Sequence, residues 1–213
     1  MLCLAFSCDG FHLDRSCREI FIPVSDKQGD WNYGNVQSAG GCCLVVGDKL
    51  YFYVSGRAGK TGDYEDVCST GLAILRRDGF ASMDAGDEEG VLTTRPVRFN
   101  GKHLFVNMDA PLGQLKAEIL DSDGKVITPF SKENCLPITG DSTCKKVEWK
   151  HAKKSDLSKL SNKPVHFRFY LTNGKLYSFW VSPDKSGASH GYVAAGGPGF
   201  TGPVDTVGSS AGR

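Results

Sequence analysis

The 213 residues, 40% of them hydrophobic and 10% aromatic, carry enough apolar material for one large or two small domains with real cores. Twenty-five basic against 24 acidic side chains leave a formal charge of +1 with the signs interspersed, so no basic face or acidic tail points to nucleic acid or to a membrane surface. No apolar run approaches the roughly 20 residues that a spanning helix requires, so neither nucleic acid nor membrane is an expected partner.

From the start of the chain, Met1 to Cys8 is apolar over too few residues, and too poor in positive charge, for a secretory address; it reads as strand, and the compartment is left open. Turn signals then recur. Asp9-Gly10, Asp78-Gly79, Asn100-Gly101, Asp123-Gly124 and Asn173-Gly174 each stand between apolar or alternating segments, which is the pattern of consecutive β-hairpins. Residues 44–55 hold two short strands around a Gly-Asp-Lys turn. Leu115, Ala117 and Ile119 alternate with Lys116 and Glu118, and Val165, Phe167 and Phe169 alternate with His166, Arg168 and Tyr170, so each strand should bury one face and turn His166 outward. Only residues 150–160 admit a helical turn, as a connector ended by Asn162-Lys163-Pro164. The expected class is all-β, with a polar break at Asp84–Gly90 near the domain boundary and a Gly/Ser/Pro-rich tail over 184–213. That tail should lie extended over the surface or stay disordered, since its composition cannot bury a core.

Eight cysteines show no zinc-like spacing, so no metal is expected. In Cys42-Cys43 one thiol should be a buried small hydrophobe, and Cys135 and Cys144, flanking a loop-like stretch, can be bridged in an oxidising compartment. No dinucleotide or Walker-type glycine loop opens a helix; Gly56 to Gly62 has neither the spacing nor the helix, so no cofactor is expected. The acids of the first half, Asp9, Asp14, Glu19, Asp26, Asp30, Asp48, Asp63, Glu65 and Asp66, lie mostly in turns, where a carboxylate bonds its own backbone; Asp63-Tyr64-Glu65-Asp66 is the best place among them for a functional acid. Trp149 and Trp180 sit in alternating strands and read as core. The strongest binding signal is Gly29 to Ser38. Trp31, Asn32, Tyr33, Asn35 and Gln37 put aromatic faces beside amides, the mixture that holds sugar rings and hydroxyls, and Arg57 at the end of the next strand joins them as a candidate substrate-binding residue.

Residues Leu4 to Arg15 resemble the S-x-D-G-x-x-W hairpin of five-bladed propellers of glycoside hydrolase families 32 and 43, with Leu13 where an aromatic is usual. Tyr51 to Arg57 looks like the outer strand of the following blade, and Gly71-Leu72-Ala73 with Arg77 to Phe80 like its closing hairpin. Leu92 to Asn107, Glu118 to Asp121, Cys135 to Ile138, Gly140-Asp141, Val147 to Trp149, Val165 to Phe169 and Leu176 to Phe179 resemble, in that order, the β-sandwich that follows such propellers. The resemblance implies the last one or two propeller blades over 1–83, a sandwich over 84–183 and carbohydrate as the ligand. In it Asn35 and Gln37 would face the central funnel, with Trp31 at its mouth. Family-32 enzymes use a nucleophile aspartate near the start of the propeller, an Arg-Asp-Pro motif and a Glu-Cys motif, and the chain has none of them, so it is expected to be a carbohydrate-associated fragment that is not catalytic by itself. Two alternatives stand beside this reading, a stand-alone lectin-like module and a purely structural domain. Open blade edges would leave strands unpaired, which predicts self-association through residues 1–75 or packing of that half on the sandwich.

Overall fold

The computed structural model describes residues 2–7, 9–16, 18–39, 42–58, 68–152 and 155–210. Alternation governs what they form: the described secondary structure is all-β, with single 3-10 turns at Ser158–Leu160 and Gly208–Ser210 and no α-helix among the described residues. The chain divides into two units, Met1–Leu44 with Leu50–Leu75, and Val45–Lys49 with Arg76–Arg213. The Asp84–Gly90 break therefore lies inside the second unit.

In the first unit β1 (Leu2–Cys3) pairs with β2 (Ile20–Ile22), while β3 (Asn35–Ala39) and β6 (Cys68–Arg76) both pair with β5 (Lys49–Arg57); β4 (Leu44–Val46) and the Gly47-Asp48 turn after it fall mostly in the second unit. Ile22, Val36 and Val54 make its core, with Phe21, Trp31, Phe52 and Ala73 packed on them. Cys43 is buried and Cys42 exposed, as the adjacent pair in an extended run requires. Cys8, Cys17, Asp63-Tyr64-Glu65-Asp66 and the Gly59 to Gly62 stretch lie outside the described residues.

The second unit is one antiparallel sheet of β7 (Met83–Ala85), β8 (Gly90–Thr93), β9 (His103–Leu120), β10 (Ile138–Lys146), β11 (His166–Thr172) and β12 (Gly174–Ser182), curled into a nearly closed barrel. Its logic is three long strands bent at one level. β11 runs along β9 from His166↔Leu120 to Thr172↔Gln114, and β12 continues along the same strand from Lys175↔Asp109 to Ser182↔His103. β8 and β7 follow one another in the same way along β11 and β12. At the bend the buried positions of β9 change phase, from Leu104, Val106, Met108 and Ala110 to Leu115, Ala117 and Ile119. Such a slip would expose one half of a straight strand; at a corner it keeps both halves facing the barrel interior. Gly113 makes the corner possible, because a Cβ there would stand 1.8 Å from the Thr172 carbonyl oxygen. Phe167, Phe169 and Leu171 alternate inward, as expected, and His166 is half-buried with Nδ1 2.8 Å from the Thr94 carbonyl.

Four expectations change. Asn173-Gly174 is the bend of a continuing strand, with Asn173 at φ 44°, rather than a hairpin turn; Asn100-Gly101 leads into β9 without reversing the chain. Asp123-Gly124 does close a hairpin, between Leu120 and Val126. Cys135 and Cys144 are free thiols: Ile138 to Cys144 is strand, roughly 20 Å of extended chain, and a disulfide needs Cα atoms within about 7 Å. Trp149 is core, its indole N–H donating to the Ala117 carbonyl at 3.0 Å, whereas Trp180 is only half-buried.

The fourth correction is the tail. Residues 184–210 fold, and polar contacts rather than apolar area hold them. The Asp205 carboxylate, 1% exposed, accepts five hydrogen bonds, from Arg77 Nη2, Ser189 N, Ser189 Oγ, Val207 N and Gly208 N. Ser182 Oγ donates to Ala188 O and Trp180 Nε1 to Gly187 O, tying the tail to β12. Phe105 stacks on Trp180 with ring centroids 5.7 Å apart, and Asn107 is fixed between Arg76 Nε and the Arg77 carbonyl, so the second face of β9 is buried as well.

Burial alone would raise the Asp205 carboxyl; the backbone N–H groups of Gly208, Ser189 and Val207 and the Arg77 guanidinium outweigh it and hold it below its ordinary value of 3.8. A folded-state value below the unfolded one stabilises the fold fully above the unfolded value, and that contribution fades as pH falls through the folded one. Asp205→Ala should therefore cost about 3–5 kcal/mol at neutral pH by leaving Arg77 without its buried partner. In urea melts from pH 7 to pH 2, the stability gap between wild type and Asp205→Asn should narrow as pH drops below about 4. At the bend, Gly113→Ala should cost about 3 kcal/mol or more. Gly124→Ala, at a positive φ with open space around it, should cost only about 1–2 kcal/mol.

Candidate functional site

The residues that promise sugar recognition fall on β3, β5 and the loop before them, and strand alternation sorts them. Asn35 pairs with Arg57 and Val36 with Gly56. Val36 and Val54 are buried in the first core, so Asn35, Gln37, Tyr53, Ser55 and Arg57 share the opposite face. Gln37 and Ser55 are exposed, Asn35 and Arg57 half-buried, and Tyr53 is 54% exposed. On β6, Cys68, Thr70, Leu72 and Ile74 are exposed in alternation and extend the same face. A directly opposed pair such as Asn35 and Arg57 stands about 5 Å apart at Cβ, close enough for both to reach one ligand group.

Trp31 is on the other side of the sheet. Its indole lies flat on two glycines: a Cβ at Gly56 would stand 2.6 Å from the ring and one at Gly71 2.5 Å. Its carbonyl accepts Ser69 Oγ at 2.6 Å, and the ring belongs to the first core. Asn32 staples its own loop, Nδ2 donating to the Pro23 carbonyl and the Asn32 carbonyl accepting Ser25 N. Tyr33 is half-buried in the turn before β3, its N–H bonded to the Asp30 carbonyl. The structure thus brings Asn35, Gln37 and Arg57 together and sets Trp31 apart from them. Tyr53 is the member that sequence reasoning missed. Its signal was present, since in Tyr51-Phe52-Tyr53-Val54-Ser55 the positions two apart share the face of Arg57.

Three acids of this unit, Asp9, Asp14 and Asp30, are engaged by their own turns. Asp9 Oδ1 accepts Ser7 Oγ, Phe11 N and His12 N while Oδ2 meets His12 Nδ1 at 2.5 Å; the His12 side chain first, then the backbone bonds, holds its carboxyl well below the usual range. Asp14 caps Ser16 and Asp30 accepts Ser25 Oγ. Hydrolysis of a glycosidic bond asks for one protonated and one ionised carboxyl across the sugar, and the Asp9 and Asp14 carboxyls, both held below their ordinary values, do not supply the acid. Comparison with protein-family models, with characterised proteins and with solved structures finds no match.

The glycine bed under Trp31 is testable by itself. Gly71→Ala should destabilise the first unit by about 1–3 kcal/mol through overpacking. In hydrogen exchange, β5 amides should exchange faster while those of β9 keep wild-type protection.

Proposed function

We propose that this protein binds carbohydrate without cleaving it, and that the sugar lies on the outer face of the first unit's sheet. The observation that carries this reading is the sharing of one exposed face by Tyr53, Asn35, Gln37 and Arg57. A half-exposed phenol ring offers a flat apolar platform for the C–H face of a sugar, and two amides and a guanidinium supply donors and acceptors for its hydroxyls. Among the described residues of β3, β5 and β6 there is no acidic side chain, which suits a neutral ligand. The same proposal includes descent: a terminal propeller segment followed by a sandwich of the family-32 type, without the Arg-Asp-Pro and Glu-Cys motifs. The order of the resembling segments supports it. It also includes association between copies through open strand edges of the first unit.

A glycan array, with hydrolysis assays on fructosides and arabinosides, tests the reading. Wild type should bind at least one neutral glycan with no turnover. Tyr53→Ala should weaken that binding about tenfold or more, near 1.4 kcal/mol, and Asn35→Ala should weaken it less, both keeping the wild-type melting profile. Turnover of a glycoside, or glycan binding indifferent to both substitutions, would overturn it.

A further inference from the structure

The second unit holds a cavity of about 280 Å³ that the sugar-binding reading does not use. One wall carries the Trp180 ring, which stands on the face of β12 opposite the barrel core into which Phe179 turns to pack on Phe167 and Phe169. The Trp180 ring is fixed there, one face on Phe105 and its N–H on the Gly187 carbonyl, so the wall exists before any ligand arrives. The other wall is charged. Three carboxylates, Asp48, Asp78 and Asp205, line the cavity against one guanidinium, Arg77.

These four groups are not equivalent. Asp205 has its oxygens filled by five donors and has no capacity for a ligand. Arg77 is 13% exposed, bonded to Asp205 at 3.0 Å and within 3.7 Å of Asp78, with its guanidinium 5.6 Å from the centre of the Phe200 ring. Its charge is answered from within the protein, so it does not make the cavity an anion site. The excess negative charge falls on Asp78, whose side chain is 61% exposed, and on Asp48, also exposed. No group of three or more metal-ligating side chains converges among the described residues, so the excess charge is dispersed over a wall rather than focused on a point. The Cys144 thiol on the same wall is pushed up to about 11 by burial and stays neutral, so it adds no anion and no nucleophile.

We propose that this cavity binds a small organic ammonium: a cationic nitrogen set against Asp78 and Asp48, carried on a compact apolar body that lies on the Trp180 ring. The volume admits roughly ten heavy atoms, at the lower end of small-molecule sites. Opposite charge on one wall and an aromatic face on the other are the two features that recognise such cations. The site stands independently of the glycan face, being built from a different unit and different residues.

Three probes of one shape test it on the full chain: phenethylammonium, the neutral 2-phenylethanol and the anionic phenylacetate, titrated calorimetrically at low ionic strength. The cation should bind saturably and about tenfold or more tighter than the alcohol, with phenylacetate weakest. Asp78→Asn should reduce the preference for cation over alcohol about fivefold or more. Asparagine tolerates the positive φ of 53° at this position, so the variant is expected to melt as wild type does. Asp48→Asn, made as a second variant, should lower the same preference. Equal binding of the three probes, no saturable binding of any, or a cation preference that survives both substitutions would overturn the proposal.

Discussion

The buried carboxylate of Asp205 is the interaction on which the last segment of the second unit, residues 184–210, depends. A glycine- and serine-rich segment has little apolar area to bury, and ordering each of its residues costs about 1–2 kcal/mol of backbone entropy. Hydrogen bonds to an ionised, desolvated acceptor are among the few local terms strong enough to offset that, at about 1.5–3 kcal/mol each in favourable cases. Five of them converge on Asp205. Once the segment is fixed, Gly187 lies against Phe105 and its carbonyl holds the Trp180 indole in place, while Asn107 on the same face of β9 is held by Arg76 and Arg77. Asp205 is itself held by a residue as far away in sequence as Arg77, so the order of residues 184–210 depends on a side chain from the other end of the unit's sequence.

Why the tail read as surface coil follows from the same chemistry. Composition measures apolar supply, and the tail is poor in it; nothing in the spacing of Asp205 announces that donors from Arg77, Ser189, Val207 and Gly208 meet there. The strands, by contrast, were legible because their signal is local. Phe167, Phe169 and Leu171 alternate in the sequence and alternate in the barrel. Turn dipeptides lie between these cases. Asp123-Gly124 closes a hairpin because its flanking residues pair with each other, whereas the residues flanking Asn173-Gly174 both pair with β9, and a left-handed asparagine serves a bend as well as a reversal.

The candidate glycan face shows the same division. Period-two alternation suffices to place Asn35 and Gln37 together and, applied to the next strand, adds Tyr53 and Arg57. It does not place Trp31, because that ring's position is decided by absences elsewhere: Gly56 and Gly71 lack the Cβ atoms that would occupy its seat. An aromatic beside amides in the sequence is therefore ambiguous until the glycines opposite it are known. Trp31 supports the sheet that carries the face and takes its own side chain out of it.

A single criterion separates acids that build the fold from acids that can meet a ligand, namely whether the protein already answers the charge. Asp9, Asp14 and Asp30 are satisfied by their own turns, Glu118 by Arg168, Tyr170 and the Lys132 N–H, and Asp205 by its five donors. Moving any of them to serve a substrate would leave donors unsatisfied, at a cost of about 1–3 kcal/mol for every group stranded. Asp78 differs in kind, since it meets Arg77 only at 3.7 Å, stays largely in solvent, and shares that guanidinium with a better-placed competitor in Asp205. The proposed cation therefore meets a carboxylate whose charge the protein answers only in part. The asymmetry between two neighbouring aspartates, one sealed and one open, is what gives the cavity a sign.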